Sequence, residues 1–269
     1  MKRLLLFIVI FSSLSVGAQT KKVTHSEFKT WSREVYYVLK SDKNVREGGY
    51  RKYWSAGPHS ELLVEGHYHN NLKDSIWKYY SNGKMVGQGS YMDEEKIGIW
   101  IGYNRGFERF RYNFTNNEMV AFINNPGDSS QTSSIITDAN PGEVFDRQPV
   151  YITGITSLFR NVSYSVKYPE GAQEKRKQGE VIIAFTIDEK GSARDYVSKT
   201  NVGYGLETTA LNAVKNIMGE WVPALIKGKP AAVKCELSFL FSISSGEDLI
   251  PKPNQIVIRT FGIPSIRSY

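Results

Sequence analysis

The sequence has 269 residues, of which 41% are hydrophobic and 23% are charged, and it carries a formal net charge of +7. This composition is typical of a folded globular protein and argues against an intrinsically disordered chain. Cys235 is the only cysteine, so an intramolecular disulfide and a multi-cysteine zinc site are both excluded.

The N-terminal segment predicts export from the cytoplasm. Two basic residues precede an apolar run over 4–14, and small residues lead up to Ala18. This arrangement is typical of a secretory signal peptide over 1–18. The apolar run is shorter than the ~20 residues that span a bilayer, so we expect cleavage after Ala18 and a periplasmic protein. A retained N-terminal anchor is the alternative.

An internal repeat marks the region that follows, which we place at 19–123. Each unit has an aromatic strand, a turn that contains glycine, and a second strand, and this pattern predicts an all-β stack of hairpins. At an offset of 23 residues the aligned pairs are Gly66 with Gly89, Tyr68 with Tyr91, Lys73 with Lys96, Trp77 with Trp100, and Tyr80 with Tyr103. Trp54 belongs to a preceding unit with a slightly longer spacing.

The repeats, over roughly 46 to 119, resemble MORN-type repeats. The resemblance is carried by Gly89, Tyr91, Gly98, Trp100, Tyr103 and Gly106. It implies contact with lipid or protein without fixing one function. The recurring aromatic residues favour a structural spine, and a sugar- or lipid-stacking ladder is the alternative. They are Trp54, Trp77, Tyr80, Trp100 and Tyr103.

The segment that follows, "NNPGDSSQTSSIITDANPGE", is rich in small and polar residues. It predicts a flexible linker over 124–147 that separates two independent modules.

The second module, at 148–243, predicts an α+β sandwich of helix, strand, strand, helix and strand. A short helix is expected from Pro169 to Gly179, followed by a strand with Val181 and Phe185 on its apolar face. A second strand is expected to return antiparallel to the first. Apolar residues at helical spacing predict a helix over 206–218.

The last strand of this module, "VKCELSFLFSI" at 233–243, alternates between apolar and polar residues. Cys235 lies on the apolar face, where we expect it to be a small buried hydrophobic residue. With only three strands predicted, this strand forms an edge of the sheet whose backbone groups need a partner.

Five blocks in order over 148–243 resemble the C-terminal domain of TonB energy transducers, as in exported TonB-domain proteins of Bacteroidetes-type bacteria. The residues that carry the resemblance include Tyr168, Pro169, Ala172, Gly179, Trp221 and Pro223. It implies a binding module that pairs an extended segment of an outer-membrane TonB-dependent receptor, or of another envelope protein, with the last strand. The pairing residues expected are Val233, Lys234, Cys235, Glu236, Leu237, Ser238, Phe239, Leu240 and Phe241.

Alternatives stay open for this edge and for the protein. The tail at 244–269 contains the strand-like "QIVIRTF", which could cover the edge or pair with a second copy in a homodimer. The sequence lacks a long periplasmic linker, which favours a soluble adaptor over a direct energy transducer. If the signal peptide is retained as an anchor, the energy-transducer interpretation is favoured instead. An envelope scaffold, or a glycan- or lipid-binding protein, is the further alternative.

We expect no enzymatic activity, cofactor, metal, nucleic acid or small-molecule substrate. Glu65, His67 and His69 alternate onto one strand face, as metal ligands could. One repeat later the equivalents are Gln88, Ser90 and Met92, so the scaffold does not require metal ligands there.

Overall fold

A computed structural model describes residues 19–27, 31–56, 59–123, 144–216, 220–244, 250–252 and 255–260. The predicted signal peptide at 1–18 and most of the predicted linker, 124–143, lie outside the described residues. No helix within these ranges is long and apolar enough to cross a membrane.

The N-terminal region is one antiparallel sheet of nine strands, arranged in chain order. Its strands are β1 (Thr20–Glu27), β2 (Ser32–Leu39), β3 (Arg46–Ala56), β4 (His59–His69), β5 (Leu72–Ser81), β6 (Lys84–Met92), β7 (Glu95–Asn104), β8 (Phe107–Asn113) and β9 (Glu118–Phe122). The predicted repeated hairpins therefore form a single continuous sheet.

Tight turns set the pairing between the repeat strands. Asn82 and Gly83 join β5 to β6 with φ values of 51° and 68°. Arg105 and Gly106 occupy the equivalent turn of the next unit, with φ values of 53° and 90°. Two consecutive residues of positive φ match the right-handed twist of the flanking strands, which is why Gly recurs at the second position and why Asn82 suits the first.

A glycine beneath each indole explains the repeated Gly and Trp. A Cβ added to Gly66 would lie 2.3 Å from the Trp77 ring, and one added to Gly89 would lie 1.9 Å from the Trp100 ring. Trp77 and Trp100 are 2% and 0% exposed. Tyr91 lies between them, with ring centroids 5.9 and 5.1 Å away, so the rings form a continuous buried row.

The C-terminal region combines three helices with a four-stranded sheet of order β12-β11-β16-β17 and two small two-stranded sheets. Its elements are β10 (Val150–Tyr151), α1 (Ile155–Ser165), α2 (Glu170–Glu174), β11 (Gly179–Ile187), β12 (Ala193–Ser198), α3 (Leu206–Lys215), β13 (Trp221–Val222), β14 (Ala224–Ile226), β15 (Lys229–Ala231), β16 (Val233–Ile243) and β17 (Ile256–Thr260).

The predicted elements of this region are present, together with four short strands, helix α1 and strand β17, which were not among them. The order of α2, β11, β12, α3 and β16 agrees with the prediction, although α2 covers only five residues. Helix α1 was not predicted, although Ile155, Leu158 and Val162 recur at helical spacing on its buried face. Its Ser and β-branched residues and an N-cap, Gly154, without a side-chain capping bond weaken the local signal. Strand β17 adds a fourth strand to the predicted three.

The prediction of two independent modules is wrong. Val150, Ile152 and Val222 of the C-terminal region belong to the same buried cluster as the aromatic residues of the N-terminal sheet. A Cβ on Gly87 would lie 2.9 Å from Ile152, so the absence of a side chain at Gly87 makes room for this contact. The two regions share a core because small residues of one sheet face leave room for β10 and β13.

The predicted linker also ends earlier than expected. The Asp146 backbone N–H donates to the Leu225 carbonyl over 2.9 Å, and Arg147 forms a β-bridge with the same residue. Residues 146–147 therefore belong to the C-terminal region, since their backbone groups are paired with β14.

Candidate functional site

Strand β16 forms the centre of the candidate site. Residues Val233, Cys235, Leu237 and Phe239 are at most 1% exposed and point into the core, as their alternation predicts. Burial raises the pKa of the Cys235 thiol to about 12, so this cysteine is protonated at neutral pH. Its environment is that of a packing residue.

The inner edge of β16 is paired over its full length. Its partner is β11, antiparallel from Gly179 opposite Phe241 to Ile187 opposite Val233. In an antiparallel ladder successive residues turn their backbone groups alternately toward one neighbour and away from it. The Lys199 N–H donates to the Ile182 carbonyl over 2.9 Å, so the backbone groups of Ile182 point toward β12 and away from β16. The backbone groups of Ser238, which lies opposite Ile182, therefore point toward the outer edge of β16.

The same alternation therefore turns the backbone groups of Lys234 and Glu236 toward the outer edge. At the far end of the strand, the Ile243 N–H donates inward to Gln178, and the N–H of Ser244 donates outward to Thr260. The two observations agree: the backbone N–H and C=O groups of the even-numbered residues of β16 point toward its outer edge.

Strand β17 covers the upper half of this outer edge. It runs parallel to β16, from Phe239 opposite Ile256 to Ile243 opposite Thr260. Ile256 and Ile258 are 4% and 6% exposed and belong to the core. The expectation of an open edge through Phe241 is therefore wrong, because the tail returns to the sheet and pairs with it; the alternative of an internal cap is correct for this half.

Polar contacts hold the start of β17 against β16 and β11. The Gln255 side-chain amide donates to Ser238 Oγ over 2.8 Å and to Glu180 over 3.0 Å. Lys252 forms an ion pair with Glu180 at 2.6 Å. A hydrogen bond from Lys252, followed by those from Ser238 and Gln255, lowers the pKa of the Glu180 carboxyl. These contacts end the covered half at Ser238.

The lower half, Val233–Leu237, has no strand on its outer side among the described residues. Lys199 pairs with Glu236 at 2.7 Å on the polar face, and both side chains are partly exposed. We name this segment the open half of β16. It offers outward-facing backbone groups beside a fixed strand, which is the geometry that an added strand requires.

The residues that carry the TonB resemblance lie within the fold and do not converge on one surface site. Tyr168 packs against Phe241 with ring centroids 5.4 Å apart, and Trp221 lies 4.8 Å from the Tyr151 ring. The Pro223 carbonyl accepts a hydrogen bond from Arg147 at 3.0 Å. Ala172 is fully buried. Pro169 is the N-cap residue of α2, and Gly179 begins β11.

The repeat aromatics divide between different environments. Trp77 and Trp100 are buried in the ring row, so they present no surface for a ligand. The Tyr80 hydroxyl donates to Glu65 over 2.7 Å, and the Tyr103 hydroxyl accepts from Gln88 over 3.1 Å. Trp54 stacks on Tyr164 of α1 at 4.9 Å. These residues do not form the single stacking ladder that was the alternative expectation.

A buried ionic cluster joins the two regions and was missed by sequence reasoning. Glu220 accepts hydrogen bonds from Lys73 at 3.0 Å, from Lys96 at 2.9 Å and from the Tyr91 hydroxyl. Burial opposes ionisation of Glu220, but the ammonium groups of Lys96 and Lys73 outweigh it and lower its pKa to about 2. A sequence signal for the cluster existed: Lys73 and Lys96 occupy the same position in successive repeats, where most of the other recurring residues are aromatic.

No group of three His, Cys, Asp or Glu side chains in the described part of the chain is placed to hold a metal ion. His69 Nδ1 lies 3.1 Å from Glu47, whereas Glu65 accepts a hydrogen bond from Tyr80, so His69 and Glu65 have separate partners.

Comparison with known families assigns one part of the chain. Residues 164–243 match the family model described as Gram-negative bacterial TonB protein C-terminal. The match runs from the end of α1 through β16 and supports a TonB C-terminal domain there. No curated protein and no solved structure matches the chain significantly. The MORN-type resemblance of the N-terminal sheet stays an expectation.

Proposed function

We propose that this protein is a TonB-like binding protein of the cell envelope, associated with TonB-dependent transport, and that it captures an extended segment of an outer-membrane receptor as an added strand. The observation that carries the proposal is the open half of β16, which has β11 on one side and no described strand on the other. The family match over 164–243 places this strand within a TonB-like domain.

The proposed contact is made chiefly by the main chain. The backbone N–H and C=O groups of Glu236 point toward the outer edge, and a partner strand gains affinity by pairing with them. The pairing of β17 with Phe239–Ile243 supports this, because the same edge already accepts a strand farther along. The partner strand would end where β17 begins, and β-strands of about five residues are common in sheets.

The proposed role is binding rather than catalysis, in an exported protein whose signal is removed after Ala18. Mass spectrometry of the mature N-terminus and fractionation of the envelope test this location. An intact Met1 in the inner-membrane fraction would instead favour a membrane-anchored energy transducer.

A pair of substitutions at one position tests the strand-addition mechanism. Glu236→Pro removes the outward N–H, while the inner ladder, which uses the odd-numbered residues, stays paired. Glu236→Ala removes the same side chain and its ion pair with Lys199 but keeps the N–H. We expect peptides from the periplasmic N-terminal segment of a TonB-dependent receptor to bind the parent and Glu236→Ala similarly, and Glu236→Pro at least tenfold more weakly.

Equal binding by both variants, measured by fluorescence anisotropy, would contradict the proposal. Binding of no receptor peptide by the full chain would also contradict it. If the chain dimerises in sedimentation experiments and Glu236→Pro makes it monomeric, a second copy is the strand partner and the receptor role is wrong.

A further inference from the structure

The N-terminal sheet uses its two faces differently. One face packs on the C-terminal region through Trp77, Tyr79 and Trp100. Residues of opposite parity project from the other face, and cross-strand pairing places them side by side. The row crosses five strands in the order Val35, Arg51, Glu65, Lys78 and Gln88.

This second face contains a shallow groove of about 560 Å³ over β1 to β5. Backbone at Gly49 and Gly66 contributes to its lining, and at Gly49 no side chain fills the space beside the Tyr37 ring. Tyr37, which is 37% exposed, and Tyr53 add ring surface. The groove is large enough for several linked rings, since ligand pockets have volumes of ~300–1,000 Å³.

The groove is strongly cationic. Its lining contains Lys22, Arg33, Arg51 and Lys78, against the single carboxylate of Glu65. That carboxylate accepts from Tyr80 and lies 3.5 Å from Arg51 and 3.6 Å from Lys78. The hydrogen bond from Tyr80 is the largest cause of the lowered pKa of Glu65. One negative charge is thus shared between two cations, which leaves the groove positive.

Two nitrogen atoms at this groove lack a hydrogen-bond partner within the described residues. Arg33 Nε and His67 Nδ1 are both buried and unpaired. Arg33 otherwise donates to Ser60 Oγ over 3.1 Å and lies over the Tyr53 ring at 4.6 Å. Arg33 Nε is a donor, and a buried donor without a partner is costly. An acceptor on a bound molecule relieves that cost only where the side chain turns to expose the nitrogen.

From these observations we infer that the groove binds an anionic glycan. Its negatively charged substituents would contact the cations, and its sugar rings would pack on Tyr37 and Tyr53. A flat bilayer reaches only the rim of a concave site. An extended peptide pairs with sheet edges, whereas the backbone groups within a sheet are already used by neighbouring strands. The inference concerns the N-terminal sheet and is independent of the role proposed for β16.

Titration of the full chain with oligosaccharides of one length tests this inference. Sulfated dextran oligosaccharide should bind, and neutral dextran oligosaccharide should not. Lys22→Gln combined with Lys78→Gln should weaken binding about tenfold, since two exposed ionic contacts with the ligand are lost. Lys175→Gln combined with Lys229→Gln removes the same charge from exposed sites elsewhere and should change affinity less than twofold.

Tyr37→Ala separates glycan binding from charge alone. It should weaken sulfated dextran binding by about fivefold through lost ring contact and leave any weak binding of polyglutamate unchanged. Urea unfolding checks that each variant keeps the parent stability. Binding of polyglutamate or of phosphatidylglycerol vesicles with equal affinity and equal sensitivity to the double substitution would overturn the inference. An equal loss of sulfated dextran affinity in the groove variant (Lys22→Gln with Lys78→Gln) and in the control variant (Lys175→Gln with Lys229→Gln) would also overturn it.

Discussion

The two large sheets of this protein are stabilised in different ways. In the N-terminal sheet every strand pairs with its neighbours in the chain, and glycines beneath buried indoles repeat the same packing. Its outer strand β1 is mostly polar and exposed, a composition that discourages pairing with other chains. In the C-terminal sheet, β11 pairs with the distant β16, and β17 covers only part of the outer edge.

This difference indicates a division of roles. The N-terminal sheet repeats its own contacts and supplies a rigid face to the C-terminal region. Among the described residues, the C-terminal sheet leaves half of β16 without an outer neighbour, and there the inner neighbour β11 orders the backbone groups. A partner strand that pairs there would gain hydrogen bonds while only the partner loses conformational freedom, because β16 is already fixed.

The largest effect is expected from breaking the repeated packing. Trp100→Ala removes a fully buried indole and should lower the free energy of unfolding by about 3–5 kcal/mol. Ile99→Ala is the matched control, because Ile99 is 49% exposed on the opposite face, and it should cost less than ~1 kcal/mol. Urea denaturation measures both. Similar losses for the two would mean that the ring row does not stabilise the sheet.

Breaking the long-range ladder should have the next largest effect. Leu237→Pro removes an inward N–H from the β11–β16 pairing and should destabilise the protein by about 3 kcal/mol or more. Glu236→Pro, one residue earlier, should cost less than half as much, because that N–H faces the open side. Thermal unfolding of each proline variant relative to the alanine variant at the same position checks the assignment of parity, because this comparison separates the lost N–H from the lost side chain. A larger proline effect at Glu236 than at Leu237 would contradict the assignment.

The stability contributed by the ionic contact between the N-terminal sheet and the C-terminal region should depend on pH. Because the pKa of Glu220 is about 2 rather than its ordinary 4.5, its ionised form stabilises the fold above pH 4.5 and loses this contribution as the pH falls. The stability difference between the parent and Glu220→Gln should shrink by roughly 2 kcal/mol between pH 6 and pH 3. A difference that does not change with pH would show that the carboxylate is not paired with the lysines.

The smallest effect is expected at the junction of the covered and open halves. Gln255→Ala removes hydrogen bonds to Ser238 and Glu180 and should cost ~1 kcal/mol. Lys252→Ala removes an exposed ion pair and should cost less than ~0.5 kcal/mol. Chemical denaturation compares the two variants. Equal costs would indicate that the amide does not fix the start of β17.

The same contrast explains how much could be predicted from the sequence. The repeated Gly, Trp and turn residues predict the N-terminal strands, because their contacts are local and recur. The alternation in β11 and β16 predicts which residues face the core, and the parity of Glu236 follows once the register is known. The pairing of Ile256 with Phe239 depends on a long-range return of the chain, so sequence alone left it as one of two alternatives.

The ionic cluster and helix α1 illustrate the remaining gap. Lys73 and Lys96 are visible as repeated residues, but their partner Glu220 lies in the other region, at the start of β13. Nothing in the local pattern of Glu220 indicates burial. Helix α1 packs against α3 and β17 through Ile155, Leu158 and Val162, whose helical spacing is a signal that the prediction did not use.

Amide hydrogen exchange of the full chain with and without a receptor peptide tests the central claim most directly. If a partner strand adds to the open half, the Glu236 amide should exchange at least tenfold more slowly with peptide bound, and the amides of β17 should keep their rates. Unchanged exchange at Glu236 under saturating peptide, or faster exchange throughout Ile256–Thr260 as β17 is displaced, would contradict the claim.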